Sequence, residues 1–452
     1  MKICAYVQEQ YGKQAYKNEC LESRQFVGLR VVIDSVERAG YSVEYAGIAT
    51  VHQYDVVLVS LTSDCDWWTF IEERTRWQKG NYRVIIGGAG VLHVAPFLAF
   101  GDFFSLGRGE QNVVDIIRAI DGESIDIDDS VICSDTFSAD KIYHIKQAEH
   151  PYEHTIDLPN GNRFTEATIG CNHKCLFCGY TWQRKFDSPH SVYRMDETLF
   201  GANNADRERA LLDMAQNFND VDFAHLRTTA IDGFSERLRY YVNKKISKET
   251  LTEFLTAMIT SDAKPHQLKL YNLCGLPGET EEDWWEIVDV FKTTEKLQTS
   301  NGKQWSVVLH STPFRAMPAT PMACAPMSYK DYRGEIARVL GKGMKGNIFY
   351  QGKNLWAVES MGTDSLSTVI LSAICHRGNV ADTENITRIA RAKKFWAANG
   401  AVKRATLEKY FDVDRLFGTF TPETLPSRYL RTYAKIENMW AKYGADCKEG
   451  AT

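Results

Sequence analysis

The stretch GCNHKCLFCGY, residues 170–180, decides how the rest of this chain is interpreted. It places Cys171, Cys175 and Cys178 on one short loop at C-x-x-x-C-x-x-C spacing. Three thiolates this close together can face a common centre, and soft thiolates select iron–sulfur clusters or zinc over hard cations. Zinc and ordinary electron-transfer clusters use a fourth protein ligand, and no fourth cysteine lies nearby in sequence. The spacing therefore predicts a [4Fe–4S] cluster with one iron left open to another ligand.

The composition of the whole chain narrows its class. The 452 residues suffice for two or three domains, and the apolar share of 44% and charged share of 25% are those of a globular protein. A net charge of −5 gives no long-range attraction for nucleic acid. The start, Met1–Val7, reads as a strand and not as a signal peptide, and no apolar run is long enough to span a bilayer. Eleven cysteines in a chain of this length indicate reduced thiols, so we expect a cytoplasmic protein without membrane partners.

Residues 1–125 alternate strand-like and helix-like segments. Continuous apolar runs indicate buried parallel strands, and the alternation predicts a doubly wound, Rossmann-like sheet with a ligand crevice at the carboxyl ends of its strands. The acidic, irregular residues 126–160 predict a linker with a short hairpin. The predicted strands are Met1–Val7, Asp55–Ser60 and Arg83–Ile86, and the predicted helices are Val27–Ala39, Trp67–Lys79 and Gln111–Ile120.

A second α/β region is predicted over residues 161–345, and a mostly helical region over 346–452. In the second region we expect strands at Phe164–Ile169, within 221–230, at Gln267–Cys274 and at Ser306–His310, with helices at Lys248–Ser261 and Glu279–Thr293. In the third we expect helices at Leu366–Ala373, Asn385–Asn399, Thr406–Tyr410 and Arg428–Tyr443.

The cysteine loop resembles that of the radical S-adenosylmethionine (radical SAM) superfamily. Phe177 matches the aromatic residue that the family places before its third cysteine. The resemblance implies that Cys171, Cys175 and Cys178 hold three irons and that S-adenosylmethionine binds the fourth. Electron transfer from the reduced cluster would then cleave S-adenosylmethionine to a 5′-deoxyadenosyl radical. The resemblance also implies a partial (β/α)6, TIM-like barrel over residues 161–345, and a reductant such as flavodoxin or ferredoxin as partner.

Two later segments resemble cofactor-contacting parts of the same family. The stretch IDGFSERLR, residues 231–239, is similar to its fourth-strand region and implies contacts from Asp232 and Ser235 to S-adenosylmethionine. Ser235 is also a good helix N-cap, so a purely structural role is an equal alternative. The stretch GLPGET, residues 275–280, is similar to a turn that lies near the adenosine, which implies contacts at Gly275 and Pro277.

The N-terminal region resembles the cobalamin-binding domain of one radical SAM subgroup. The similarity lies in residues 28–40, 55–62, 84–90 and 107–110, with a Pro-rich stretch at 313–322. It implies that Ser60, Thr62, Gly87 and Gly88 hold cobalamin. The chain contains no D-x-H-x-x-G motif, which argues against a histidine ligand to cobalt from that loop.

The leading hypothesis is a cobalamin-dependent radical SAM enzyme that methylates an unactivated carbon. Cobalamin-dependent rearrangement or cyclisation uses the same cofactors and stays open. Methylthiolation would need a second cluster, for which Cys4, Cys20 and Cys65 are available, although their spacing is irregular. A non-catalytic iron–sulfur redox or sensor protein is the alternative of another class. The sequence does not separate a small-molecule substrate from a peptide.

Overall fold

The computed structural model shows two parallel-dominated sheets with helices packed against them. The description below covers residues 1–8, 27–148, 150–157, 163–164, 166, 169–185, 187, 211–215, 217–329, 332–343, 357–361, 366–391 and 404–432.

The first sheet has six strands in the order β2-β1-β3-β4-β5-β6. The first five are parallel, and β6 runs antiparallel to β5. The strands are β1 Ile3–Tyr6, β2 Val43–Ala46, β3 Val56–Ser60, β4 Arg83–Gly87, β5 Phe103–Ser105 and β6 Val131–Cys133. The helices that accompany them are α1 Val27–Arg38, α2 Asp64–Arg74 and α3 Glu110–Ile120.

Helices cover both faces of this sheet because successive side chains of each strand point to opposite sides. Leu58 and Ile85 pack toward α1 and α3, whereas Val57 and Ile86 pack toward the aromatic residues of α2. Strands that are buried on both faces read as continuous apolar runs, which explains why β3 and β4 are visible in the sequence. The chain is therefore of the α/β class, as expected.

The second sheet has four parallel strands in the order β10-β11-β12-β13. Leu268, Leu270 and Leu309 lie on the face that packs against the helices. Lys269, Tyr271 and His310 alternate with them and are at least partly exposed. The elements are β10 Thr228–Ala230, α6 Glu236–Tyr241, α7 Lys248–Thr260, β11 Gln267–Cys274, α8 Glu281–Asn301, β12 Ser306–Pro313, α9 Arg333–Gly343 and β13 Ala357–Met361.

The remaining elements are short strands and helices. The strand pairs are β7 Tyr143–His144 with β14 Leu430–Arg431, and β8 Ile156–Asp157 with β9 Arg163–Phe164. The helices are α4 Gly179–Gln183, α5 Leu211–Met214, α10 Leu366–Arg377, α11 Asp382–Arg391, α12 Arg404–Tyr410 and α13 Val413–Phe417.

The C-terminal helices pack onto the first sheet region. The Trp68 indole N–H on α2 donates to the Leu371 carbonyl on α10 over 3.4 Å. The Tyr429 hydroxyl bonds His93 Nδ1 at 2.9 Å and accepts the Val94 backbone N–H. Burial lowers the pKa of His93 to about 4, so this ring is a neutral core group. The C-terminal helices thus belong to the same packed body as the first sheet.

Several sequence predictions differ from the structure. The helix predicted at Trp67–Lys79 begins at Asp64, because Ser63 and Asp66 form a capping box, and ends at Arg74. Strand β6 lies inside the predicted linker, and β13 lies inside the region predicted to be helical. Residues 428–432 form a turn and β14, so the helix predicted at Arg428–Tyr443 is wrong for that part, and 433–443 lie outside the described residues.

The strand predicted at Phe164–Ile169 is described only in part. Arg163–Phe164 pairs antiparallel with Ile156–Asp157, and Ile169 forms a single bridge to Asp187. Residues 165, 167 and 168 lie outside the described residues, as do 392–399 of the predicted helix Asn385–Asn399. Within the parts of the chain that are described, no helix is both long and apolar enough to cross a membrane.

Candidate functional site

The cysteine loop is fixed by hydrogen bonds to its backbone. The Trp182 indole N–H donates to the Cys175 carbonyl at 2.8 Å, and the Thr181 hydroxyl donates to the Cys171 carbonyl at 2.6 Å. From the neighbouring region, the Asn243 amide donates to the Lys174 carbonyl at 2.8 Å. Lys174 adopts a left-handed φ of 56°, which turns the chain between the first and second cysteines. The loop is therefore held in one conformation by groups outside it.

The three cysteines lie within electrostatic reach of one another. Cys171 and Cys175 are buried, and Cys178 is partly exposed. Burial raises the pKa of the Cys175 thiol to about 12; the Lys244 ammonium acts in the opposite direction, and Cys178 and Cys171 add to the rise. Burial also raises the pKa of the Cys178 thiol, against hydrogen bonds from the backbone N–H groups of Thr181 and Tyr180. Metal binding would have to displace these protons.

The three thiols of the cysteine loop are the donors from which a metal site would be built. Among the described residues, no three His, Cys, Asp or Glu side chains converge on a point that could hold one metal ion. A cubane cluster makes a different demand, because each thiolate binds its own iron. Cys171, Cys175 and Cys178 are free thiols on one ordered loop, and these three residues would hold such a cluster.

A buried ion pair lies beside this loop. Lys244 Nζ is 2.7 Å from Asp232 Oδ2, and the two side chains are 4% and 13% exposed. Burial opposes the charge on Lys244, but Asp232 and then Cys175 outweigh it and raise the pKa of the ammonium. Asp232 has a left-handed φ of 55°. The sequence analysis selected Asp232 as a site residue but did not select Lys244. The residues Asn243-Lys244, which match an N-K pair in the family that the segment resembles, were the sequence signal for Lys244.

Ser235 is a helix N-cap, the structural role that the sequence analysis gave as the alternative to ligand contact. Its hydroxyl accepts the Leu238 backbone N–H at 3.3 Å, as the N-cap of α6, and donates to Asp283 Oδ1 on α8 at 2.5 Å. The residue is buried. Phe177 is partly buried and packs against the large apolar core next to the loop.

The turn that follows β11 is stabilised from within. Gly275 has a φ of 73°, and a Cβ there would lie 3.0 Å from the Tyr332 ring. Pro277 is buried. Glu279 accepts the Leu276 backbone N–H at 3.2 Å and the Trp284 indole N–H at 2.8 Å. Burial raises the pKa of Glu279 to about 7. The glycine is therefore required by protein packing as well as by the turn.

A cleft of about 390 Å³ opens at the carboxyl edge of the first sheet. Ser60, Thr62, Gly87 and Gly88, the four residues selected from the sequence, all line it. The Thr62 hydroxyl already donates to Asp66 at 2.7 Å. No histidine is found among the described residues that line this cleft.

Gly87 and Gly88, two of the glycines that line this cleft, differ in whether the fold leaves space for a side chain. A Cβ on Gly88, which has a φ of 106°, would lie 2.4 Å from the Leu61 carbonyl oxygen, so the neighbouring backbone excludes a side chain there. A Cβ on Gly87 would make only ordinary contacts, the nearest 3.6 Å away at Ser105. Gly88 is thus explained by the fold, whereas Gly87 leaves room at the cleft.

The far wall of the cleft carries balanced charges. Arg108 donates to both oxygens of Glu166, at 2.7 and 2.8 Å, and pairs with Glu110 at 2.5 Å. Burial opposes the charge on Arg108, but Glu166 and Glu110 outweigh it and raise the pKa of the guanidinium. Lys146 pairs with Asp128 at 2.7 Å. This wall is therefore nearly neutral.

A second cavity of about 290 Å³ adjoins the cleft. Thr62, Ala89, Tyr180 and Arg184 line both. Tyr180 lies on α4, the helix that begins directly after Cys178, and Arg184 follows that helix. The segment that leaves the cysteine loop therefore forms a wall common to both cavities.

Asp64 gathers groups from distant parts of the chain at this second cavity. Arg315 Nη1 lies 3.0 Å from Asp64 Oδ2, the Ser372 hydroxyl donates to the same oxygen, and His376 Nε2 is 3.7 Å away. Sequence reasoning missed Asp64 because an acid in the first turn of a helix is normally a capping residue. Neither Arg315 nor His376 has a local signal that points to Asp64.

Of the cysteines suggested for a second cluster, Cys4 has a side chain that the structure describes and Cys65 does not. Cys4 is fully buried in the core of the first sheet, and burial raises the pKa of its thiol to about 12. Cys20 lies outside the described residues. No protein-family model matches this chain, and no curated protein matches it.

Proposed function

We propose that this chain is a radical SAM enzyme with a [4Fe–4S] cluster on Cys171, Cys175 and Cys178, and that it uses cobalamin to methylate an unactivated carbon. The observation that carries the proposal is the common wall. Tyr180 and Arg184 lie in the short segment after the third cysteine and also line the cleft at the carboxyl edge of the first sheet. A cofactor in that cleft would lie against the segment that leaves the cluster loop.

The finer architecture belongs to this proposal. The first sheet would be a doubly wound domain of the cobalamin-binding type, because helices cover both of its faces and the cleft lies where such sheets bind ligands. The second sheet, with its parallel strands and helices on one face, would be part of a TIM-like barrel.

When bound, the cluster, S-adenosylmethionine and cobalamin would supply the one-electron and methyl-transfer chemistry. The chain would supply position and water exclusion. Asn243, Trp182 and Thr181 hold the loop, so that the three thiolates need little reorganisation. Lys244 places a buried positive charge beside the loop, where it would attract a carboxylate or stabilise the negative cluster.

Anaerobic reconstitution of the full chain with iron and sulfide tests the cluster. We expect about four irons per chain, and about eight would instead favour a second cluster and methylthiolation. With S-adenosylmethionine and a flavodoxin or dithionite as reductant, we expect release of 5′-deoxyadenosine. A reduced cluster that releases none would indicate an electron carrier or sensor.

Purification with added hydroxocobalamin tests the second cofactor. We expect about one cobalamin per chain by absorbance, with the spectrum of a cobalt that lacks a histidine ligand. Gly87→Trp, which fills the cleft at a glycine with room for a side chain, should prevent this binding and leave the iron content unchanged. Failure of the wild-type chain to retain cobalamin would remove cobalamin from the proposal.

A further inference from the structure

We propose that the cavity of about 290 Å³ is the substrate site, and that Arg184 binds a carboxylate on a small, flat, largely apolar substrate. This inference rests on the proposed function. It names the substrate class that the site between the cluster loop and the cleft would accept.

The position of the cavity is the first argument. Thr62, Ala89, Tyr180 and Arg184 line both this cavity and the larger cleft. A group transferred between a cofactor in the cleft and a substrate has to cross a short distance with the reacting atoms aligned. The larger cleft is assigned to the cofactor, and this cavity, which shares its wall, is assigned to the substrate.

Arg184 is a cation with no acidic partner among the described residues. The structure describes no hydrogen bond or ion pair for its guanidinium, which lies over the Tyr180 ring at 4.4 Å. The chain around it is anchored on both sides. The Gln183 amide donates to the Pro318 carbonyl at 2.9 Å, and the Lys185 backbone N–H donates to Gln147 at 2.8 Å. A planar, prepositioned guanidinium at a cavity wall suits bidentate binding of a carboxylate.

The charges of the cavity favour a monoanion. Arg184 and Arg315 are positive, and Asp64, which Arg315 contacts at 3.0 Å, is negative. His376 is neutral at neutral pH, because burial lowers its pKa to about 4. One positive charge is left over among the described residues of this wall. A single carboxylate balances it, whereas a phosphate dianion would leave an excess negative charge.

An unsatisfied buried group points to a ligand independently of Arg184. His376 lines the cavity with only 4% of its side chain exposed, and no group in the described part of the chain hydrogen-bonds its Nδ1 atom. Buried polar groups are normally paired, so this nitrogen is expected to gain a donor in some bound state. A substrate N–H or O–H group would supply it.

The size and lining of the cavity indicate the size and polarity of the substrate. A volume of about 290 Å³ is at the lower limit for small-molecule sites and holds one or two rings rather than a folded peptide. Tyr180, Leu92 and Met317 provide aromatic and aliphatic surface. A flat, apolar molecule with one carboxylate and one hydrogen-bond donor would pair with Arg184, with His376 Nδ1 and with this apolar surface.

Titration calorimetry on the full chain tests the inference without any cluster present, so its outcome is separate from that of the cofactor experiments. The probes are indole-3-acetate, the neutral indole-3-acetamide, and phenyl phosphate. We expect indole-3-acetate to bind one per chain, at least tenfold more tightly than the other two. Arg184→Gln should weaken it at least tenfold, and Arg184→Lys by less, since the charge remains.

Two further variants distinguish a loss of binding from a loss of folding. Arg118→Gln, at the end of α3 and in neither cavity, is the matched control and should bind as the wild type does. Met317→Trp, which fills the cavity, should abolish binding with an unchanged circular dichroism spectrum.

Four results would overturn the inference. These are equal affinity for the acid and the amide, tighter binding of phenyl phosphate, no effect of Arg184→Gln, or binding that survives Met317→Trp. An Arg184→Gln variant that instead loses affinity for S-adenosylmethionine would assign Arg184 to the cofactor and overturn it as well.

Discussion

Lys244 Nζ lies 2.7 Å from Asp232 Oδ2, and both side chains are buried within electrostatic reach of Cys175. This pair joins the turn after α6 to the end of β10 at the cysteine loop. Removing one member leaves the other as an uncompensated buried charge.

Lys244→Met should therefore destabilise the chain by about 3–5 kcal/mol. The double variant Asp232→Asn/Lys244→Met should recover most of that loss, because Asn tolerates the left-handed backbone of Asp232 and carries no charge. Urea unfolding of the single and double variants measures the coupling. A double variant as unstable as Lys244→Met would mean that the lysine stem, and not its charge, stabilises the site.

Cys175→Ala should remove the cluster. Cys175 is buried at the centre of the loop, and three irons cannot be held by two thiolates of this loop alone. Iron and sulfide content after anaerobic reconstitution should fall to background. Cys133→Ala, a free cysteine on β6, is the control and should retain the wild-type iron content. Iron retained by Cys175→Ala would place the cluster elsewhere.

Glu279 should make stability depend on pH. Its pKa is raised from 4.5 to about 7 by burial, so the folded state holds a proton that the unfolded state releases. The favourable contribution is complete below about pH 4.5 and is lost as the pH rises through about 7, with a total of about 3 kcal/mol.

Glu279→Gln stays neutral throughout and should lose less stability than the wild type between pH 5 and pH 8. Comparing the two chains by urea unfolding at both pH values cancels groups such as His93, which titrate in both. An identical pH dependence of wild type and variant would show that Glu279 is ionised in the fold.

Arg377 should be indispensable to the packing of the C-terminal helices. Its buried guanidinium donates to the carbonyls of Leu416, Gly418, Ala323 and Ala325, and no carboxylate contacts it among the described residues. Burial lowers the pKa of Arg377 to about 9. Lysine has a point charge that cannot reach carbonyls in this fork geometry.

Arg377→Lys should therefore lower stability by about 3 kcal/mol, the scale of one or two lost hydrogen bonds to a charged group. Thermal unfolding measures this loss. Arg388→Lys, on the exposed face of α11, is the control and should change stability by less than about 0.5 kcal/mol. If both substitutions lowered stability equally, the hydrogen bonds from Arg377 to the four carbonyls would not explain its effect.

Elements with a strong local pattern were predictable. Strand β11, Gln267–Cys274, was predicted with its observed bounds, and β3, β4, α1 and α7 to within one residue at each end. The strands of the first sheet that were missed, β2, β5 and β6, are three or four residues long and lie at or near its edges. Such strands carry too few apolar residues to show a period, and they form because a neighbouring strand offers free backbone groups.

Candidate site residues divide in the same way. Ser60, Thr62, Gly87 and Gly88 follow strands in the sequence and do meet at one cleft, because parallel strands end at a common edge. Gly88 and Ser235 were selected for ligand contacts, and both have structural partners that the sequence could not reveal, the Leu61 backbone and Asp283.

The sequence by itself determined the set of donors and the class of fold. Three thiols at a fixed spacing are a local property of eight residues, and the alternation of apolar runs implies parallel strands between helices. Tertiary structure alone decided which distant groups meet. Asp64 contacts Arg315, 251 residues later, and Ser372, 308 residues later. No local period encodes those meetings, because they depend on how α2 and α10 pack together and on where the segment after β12 lies against them.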